Sequence, residues 1–386
     1  MYHGRQMGVK DRAGKAERRA TLKEVATALG VSPATVSNAY NRPDQLSPLL
    51  REKVFEAARR LGYAGPDPVA RSLRRRRAGA VGVLYSDRLS YAFADPAAVR
   101  FFEGISVATE EAGLGMLLLP GSARGARDPQ AVGNAVVDGF VIYCMADDDP
   151  LVGAALGRRL PVVLVDHPGV GDVPYVGIDD EGAAAAAAEH LISLGHRRLG
   201  VVSFGLTREP AGGLADLSRP ERATFGPSRA RLRGYASATK RAGLSVSGVP
   251  VFECAGSTTE EGRVAAEVLL GTQDPPTAIL CMSDQLAFGV LKAAPGLGLS
   301  LPGDLSVVGF DDVPEAQRTD PPLTTVHQPH VEKGLLAGRI LVAQLGDHEP
   351  PEARLLPTRL VERGSTAPPD GYKSMSRPTA RSTARS

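Results

Sequence analysis

Cysteine is scarce in this chain. Cys144, Cys254 and Cys281 stand far apart in 386 residues and show none of the spacings of a metal knot, a redox pair or a disulfide framework. Each reads as a small core residue, and the set suits a reducing compartment. Long apolar runs are missing too, since none approaches the roughly 20 residues a membrane-spanning helix needs. Residues 1–20 are basic without an apolar centre, which is not a secretory signal and points to a cytoplasmic protein. Enzyme signatures are also lacking: there is no GxxxxGKS or GxxxxGKT phosphate loop, no GxGxxG after a strand, no GxSxG elbow and no HExxH helix. No catalytic residue, cofactor or metal is therefore expected. His327 and His330 lie three apart, but Pro329 between them argues against one helical face and for a structural role. Asp147 to Asp149 reads as a solvated loop after a strand.

Charge is ordinary in amount and uneven in place. A formal net charge of +2, with 43% hydrophobic and 23% charged residues, describes a globular chain long enough for more than one core. Residues 1–80 nevertheless hold 17 Lys and Arg against 7 Asp and Glu, while the remainder holds 28 against 36. A basic end on an acidic chain is the footprint of a polyphosphate-binding surface, because Lys and Arg release the counterions condensed on the polymer. Arg74 to Arg77 is the densest part.

Within that end, residues 21–63 carry three sets of helix signals. Thr21 and Glu24 form a capping box that opens a helix over Leu22 to Leu29, which Gly30 stops. Ser32 and Ser47 are each followed by Pro, the pattern of an N-cap with Pro at the first helical position, so helices are predicted over Pro33 to Tyr40 and Pro48 to Leu61. In the third, Leu50, Val54, Ala57, Ala58 and Leu61 recur at helical spacing, and Leu22, Val25, Ala26, Leu29, Val31 and Val36 supply the rest of a small core. The short turn between the first two helices predicts a helix-turn-helix, whose second helix can enter the major groove of DNA.

Beyond Ala78 the pattern changes to apolar runs of strand length, Val81–Tyr85, Gly115–Leu119, Gly139–Tyr143, Val162–Val165, Leu199–Val202, Ala278–Met282 and Ser306–Phe310. Helical stretches separate them, such as 101–112, 181–194, 228–242, 258–270, 285–293 and 330–345. The alternation predicts an α/β fold with two doubly wound parallel sheets, and a ligand cleft beyond the carboxyl ends of the strands.

The segments VSPATVSNAYN, YAGPDPVARSLRRR, VDGFVIY, HLISLGHRRLGVV, RARLRGY, PTAILCMSDQLAFGVL, LSVVGFDD and DPPLTTVHQP, in this order, together resemble the lac-repressor and galactose-repressor family of bacterial transcription regulators over about residues 21–366. The resemblance implies a homodimeric DNA-binding regulator, more often a repressor, controlled by a small effector, with a two-lobed domain like a periplasmic sugar-binding protein. The expected organisation is a disordered basic arm at 1–20, a helix-turn-helix domain at 21–65, a hinge at 66–79, an effector domain at 80–366 and a disordered tail at 367–386. The N-lobe is expected at about 80–178 and 313–347, and the C-lobe at about 179–312 and 348–366.

By the same resemblance, Pro33, Ala34 and Asn38 stand where base edges are read, and Ser32, Thr35 and Ser37 can reach phosphates. Asn38 suits adenine and Ala34 a thymine methyl. Proline at 33 departs from members with a polar or aromatic residue there, so no operator sequence follows. In the hinge, Arg71 is expected on phosphate and Leu73 as a wedge in the minor groove. Asp166, Arg231 and Asp284 match effector-binding positions, with Ser90, Tyr91 and Phe93 as candidates for the opposing wall. Carboxylates and a guanidinium suit sugar hydroxyls, whereas Ser257, where some members place an aromatic residue, leaves nucleosides and other polyols open. Two segments depart from the family's length. Residues 205–227, rich in Pro, Gly and charge, read as a surface loop that could instead cover the cleft mouth. The stretch 364–386 has no heptads and is expected to be disordered, so no tetramerising coiled coil is predicted.

Overall fold

The computed structural model describes residues 20–65, 77–121, 128–167, 169–210, 212–216, 222–346, 348–350, 352 and 354–369. The basic arm up to residue 19, the hinge at 66–76 with Arg71 and Leu73, and the tail from 370 lie outside the described residues. The chain divides into two compact units, Met1–Ala78 and Gly79–Ser386.

In the first unit the helices fall where their caps put them. Helix α1 is Leu22–Leu29, α2 is Pro33–Asn41 and α3 is Pro48–Leu61. The Thr21 backbone N–H donates to Glu24 Oε2 at 2.7 Å, while the Glu24 N–H donates to Thr21 Oγ1 at 3.4 Å. Ser32 Oγ and Ser47 Oγ accept from the N–H groups of Thr35 and Leu50. Gly30 and Gly62 take the left-handed conformation that ends α1 and α3, with φ of 66° and 70°. Val25, Ala26, Val36, Ala39, Val54, Ala57 and Ala58 form the core. Leu61 is exposed, contrary to expectation. The chain reverses at Gly62, the Tyr63 N–H returns to the Ala58 carbonyl, and Tyr63 packs on the core with its ring against Tyr40.

The second unit contains two sheets. In the N-lobe, β1 (Ala80–Tyr85), β2 (Gly115–Pro120), β3 (Phe140–Tyr143), β4 (Val162–Val165), β5 (Tyr175–Ile178) and β12 (Leu355–Leu356) run parallel in the order β12-β5-β4-β3-β1-β2. The C-lobe sheet contains β6 (Leu199–Ser203), β7 (Gly213–Asp216), β8 (Pro250–Glu253), β9 (Ala278–Cys281), β10 (Ser306–Asp311), β11 (Thr324–His327) and β13 (Arg359–Val361), in the order β13-β11-β10-β9-β6-β8-β7. Among the described residues, only its two edge strands are antiparallel. β3, β4 and β10 are buried at every residue, as strands covered on both faces must be.

Helices α4 (Leu89–Ala92), α5 (Pro96–Glu111), α6 (Pro129–Asn134), α7 (Pro150–Gly157) and α12 (His330–Leu345) belong to the N-lobe. Helices α8 (Asp180–Ser193), α9 (Gly226–Arg241), α10 (Thr259–Leu270) and α11 (Asp284–Ala293) belong to the C-lobe. α5 and α12 approach so closely that a methyl group at Gly104 or Gly334 would collide with the carbonyls of Val331 and Phe101.

The chain passes between the lobes at 179, between His327 and His330, and between Leu356 and Arg359. The last two crossings correct the expected boundaries. Residues 313–327 stay in the C-lobe because β11 continues its sheet, and β12 returns to the N-lobe beside β5. The expected disorder from 364 is also corrected: Ser365 is fully buried, donating to the Val307 carbonyl and accepting from the Thr324 N–H, and the Ala367 N–H donates to Ser306 Oγ.

Candidate functional site

The head presents the start of α2. Ser32, Pro33 and Ala34 are exposed, while Thr35, Ser37 and Asn38 are half-buried at its edge. This follows from the sequence: Val36 and Ala39 face the core, so residues 33, 34, 37 and 38 must face away. The Asn38 amide donates to Gln45 Oε1 at 3.3 Å, and the Asn41 amide donates to the Ser37 carbonyl and hydroxyl. Gln45 thus holds an expected base-reading residue, and Asn41 an expected phosphate contact. Asn41 is one turn from Ser37 and was findable by spacing, whereas Gln45 acts across a turn.

A cavity of about 420 Å³, open on one side, lies between the lobes of the second unit. Its walls are the carboxyl ends of the strands: Tyr85 and Ser86 after β1, Tyr143 and Cys144 at β3, Asp166 after β4, Phe204 after β6, Met282 and Ser283 after β9, and Asp311 at the end of β10. Cys144, Asp166 and Asp311 have φ of 51°, 48° and 131°, conformations that non-glycine residues adopt only when surroundings impose them. They turn the chain sharply at the strand ends and aim side chains into the cleft.

Three of the expected effector residues line it. Tyr91 on α4 reaches across to donate its hydroxyl proton to the Ser257 carbonyl at 2.9 Å. Arg231 on α9 is buried, donates to Asp180 Oδ1 at 2.8 Å and to the Met282 carbonyl, and lies flat over Phe310 with its guanidinium carbon 3.6 Å from the ring centre. Asp166 accepts two bonds from Lys333 Nζ, at 2.9 and 2.7 Å, and the same Nζ reaches Gln328 Oε1 at 2.9 Å. Gln328 then donates to Asp311 Oδ1 at 2.5 Å. A buried polar chain therefore runs from an N-lobe strand through the crossing to a C-lobe strand.

The other three do not line the cavity. Ser90 and Phe93 are exposed, Phe93 by 65%, because the single turn of α4 points Tyr91 and Ala92 inward. Asp284 is fully buried behind the wall. Ser283 takes the N-cap of α11 and Asp284 turns into the sheet, where Thr325 Oγ1 and the Val313 N–H donate to its two oxygens. Burial, reinforced by the charge of Asp311, raises its pKa.

Several lining residues were missed. Asp95 caps α5, and burial, with Asp311 adding to it, pushes its carboxyl up to about 7. His330, read as structural, lines the cavity; it is 4% exposed, with Nε2 3.5 Å from Asp311, and burial lowers its pKa. Cys144 packs against the core as expected but also lines the cavity, and burial pushes its thiol up to about 12. Lys333 had no signal, being one lysine on an amphipathic helix. The Asp triplet is a loop after β3 as expected, with Asp147 and Asp148 exposed, but it is not solvated throughout. Asp149 is buried as the N-cap of α7, and Asp147 and Asp148 pair with Arg229 and Arg208.

Residues 21–65 match the bacterial regulatory proteins of the lacI family, and residues 188–366 match a periplasmic binding protein-like domain. A helix-turn-helix-type transcriptional regulator of Mycolicibacterium smegmatis is 44% identical over 365 residues, covering 91% of this chain and 98% of its own length. Among solved structures, the cellobiose complex of the regulator CelR is similar with a TM-score of 0.64 at 30% identity, over 90% of this chain and 100% of that one. The lac repressor dimer bound to operator and an anti-inducer is similar with a TM-score of 0.73 at 26% identity, over 91% and 100%. With a relative this similar along nearly the whole of both chains, the protein belongs to the LacI family of bacterial transcription regulators, with a helix-turn-helix head and a periplasmic-binding-protein-like effector domain.

Proposed function

We propose that the protein is a homodimeric, cytoplasmic repressor whose affinity for a near-palindromic operator is set by a neutral, hydroxyl-rich molecule in the cleft, a sugar or related polyol. It performs no catalysis. Two heads address two half-sites, as protein symmetry mirrored in DNA requires. Pro33, Ala34 and Asn38 read base edges, Ser32, Thr35 and Ser37 touch phosphates, and in the hinge Arg71 adds a phosphate contact and Leu73 a wedge.

The observation that carries the ligand class is the charge state of the wall. Both arginines lining the cavity are already paired, Arg231 with Asp180 and Arg208 with Asp148, and Asp166 is paired with Lys333, while Asp87, Glu209 and Asp311 leave the lining an acidic excess. Such a wall repels phosphates and carboxylates. Carboxylates beside the faces of Tyr91, Phe204 and Phe225 suit a molecule with hydroxyls at its rim and an apolar ring face. Tyr91, Asp166 and Arg231 are the contacts we assign. The relative CelR, solved with cellobiose, supports the class.

A thermal-shift screen with neutral sugars, polyols, nucleosides and sugar phosphates tests this, because a ligand that binds only the folded state raises its melting temperature. A neutral polyol is expected to act at lower concentration than its phosphate. Preference for the phosphate would overturn the ligand class, and preference for nucleosides would move it to that class. For the head, Asn38→Ala should lose about 1–3 kcal/mol of base discrimination. Selection from random duplexes checks this, and an unchanged motif removes Asn38 from the reading set.

A further inference from the structure

The segment that departs from the family's length stands at the mouth of the cleft. Its first part is fixed to the C-lobe: Leu206 is buried, its N–H donates to Glu253 Oε1 at 2.9 Å, and its carbonyl accepts from the Thr224 N–H at 2.8 Å. Thr207, Arg208, Glu209 and Pro210 then line the cavity. From this platform three contacts cross to the N-lobe, all onto two residues after β3. Arg208 Nε lies 3.4 Å from Asp148 Oδ2, Arg229 Nη1 donates to Asp147 Oδ2 at 2.8 Å, and the Asp147 N–H donates to the Thr224 carbonyl at 2.8 Å. Arg229 is itself held by the Ala223 carbonyl. Elsewhere on the cleft, the Tyr91 hydroxyl makes its own crossing to Ser257.

We infer that residues 206–210 and 222–229 form a gate at the mouth of the effector cleft, held across it by an electrostatic latch between Asp147 and Asp148 of the N-lobe and Arg208 and Arg229 of the C-lobe. Opening the latch widens the mouth through which an effector enters or leaves. Its chemistry suits that task. The pairs are partly exposed, with the Asp148 side chain 54% accessible, so each contributes little and is weakened by salt. A fully buried pair at the same place, of the kind Asp166 and Lys333 form within the N-lobe, would hold the lobes without yielding. Arg208 also belongs to the cavity wall, so the residue that closes the gate is one an occupant would touch. This rests on the cleft being the effector site, but not on which effector it takes.

Cys144 provides a readout that needs no ligand. It lines the cavity, whereas Cys254 and Cys281 are fully buried in the C-lobe core. Labelling the full-length protein with a small neutral thiol reagent, and following each cysteine by peptide mass spectrometry, measures how often the cleft opens. Arg208→Glu is expected to speed Cys144 labelling roughly fivefold or more while leaving Cys254 and Cys281 protected. The charge swap Arg208→Glu with Asp148→Arg should restore slow labelling, which a merely structural role for Arg208 would not do. In the unaltered protein, raising sodium chloride to molar levels should speed Cys144 alone. Labelling that ignores salt, or a charge swap as fast as the single variant, would overturn the gate, and so would equal acceleration at all three cysteines.

Discussion

The two units are stabilised at different distances along the chain. In the head, each N-cap and its partner are three residues apart, Thr21 with Glu24, Ser32 with Thr35 and Ser47 with Leu50, and the core is a set of valines and alanines at helical spacing. In the effector unit, the bonds that define the cleft join residues far apart, Asp166 with Lys333, Tyr91 with Ser257 and Arg231 with Asp180. Local bonds cost little chain entropy and recur as recognisable patterns. Distant ones depend on the fold being complete and leave no local trace. A reading surface can be built locally, because DNA supplies the rest of the shape; a cleft between two lobes cannot.

The largest effect is expected where a distant bond carries charge. Lys333→Met removes the cation from Asp166 in a site where both are buried, at a cost of about 3–5 kcal/mol. Denaturant unfolding measures the loss. Hydrogen exchange should accelerate in β4 and α12 while α1 to α3 stay unchanged, and a loss below about 1 kcal/mol would show that the buried chain is dispensable. Ser47→Ala tests the local side. Removing that cap should cost about 1 kcal/mol and loosen only the head. If exchange rose in the effector unit as well, the two units would not be energetically separate.

The effect of Asp95→Asn is seen only through pH. A carboxyl held up to about 7, against an ordinary 3.8, keeps its proton in the folded state while the unfolded state has lost it. Stability contributed by Asp95 is therefore full below pH 3.8 and declines as pH rises to about 7, beyond which it is constant. Asparagine preserves the cap and does not ionise, so the variant should show a flatter fall in stability across that window. An unchanged slope in a melting series would show that Asp95 is not desolvated.

What could be read from the residues follows the same division. The helices of the head, and strands such as Val162–Val165, announce themselves by caps or by continuous apolar runs. Strands β5 and β11 do not, because YVGI and TTVH are short and mixed, and their burial comes from neighbours contributed by other parts of the chain. A cavity does lie at the strand ends, and Tyr91, Asp166 and Arg231 line it. Asp284 does not, since the turn between β9 and α11 decides by one residue which side chain faces the cavity. No periodicity reports that turn. Asp311, Gln328 and Lys333 form a chain only after three segments meet.

The three crossings between the lobes also bear on the order in which the protein can be made. Helix α12 and strand β12, which complete the N-lobe, are translated after nearly all of the C-lobe, and β13 and Ser365, which complete the C-lobe, follow them. Neither lobe is finished when its first sheet has left the ribosome. The head is one uninterrupted segment and can fold while the rest is still being synthesised. A nascent chain therefore holds its DNA-reading surface before it has the cleft that is meant to control it.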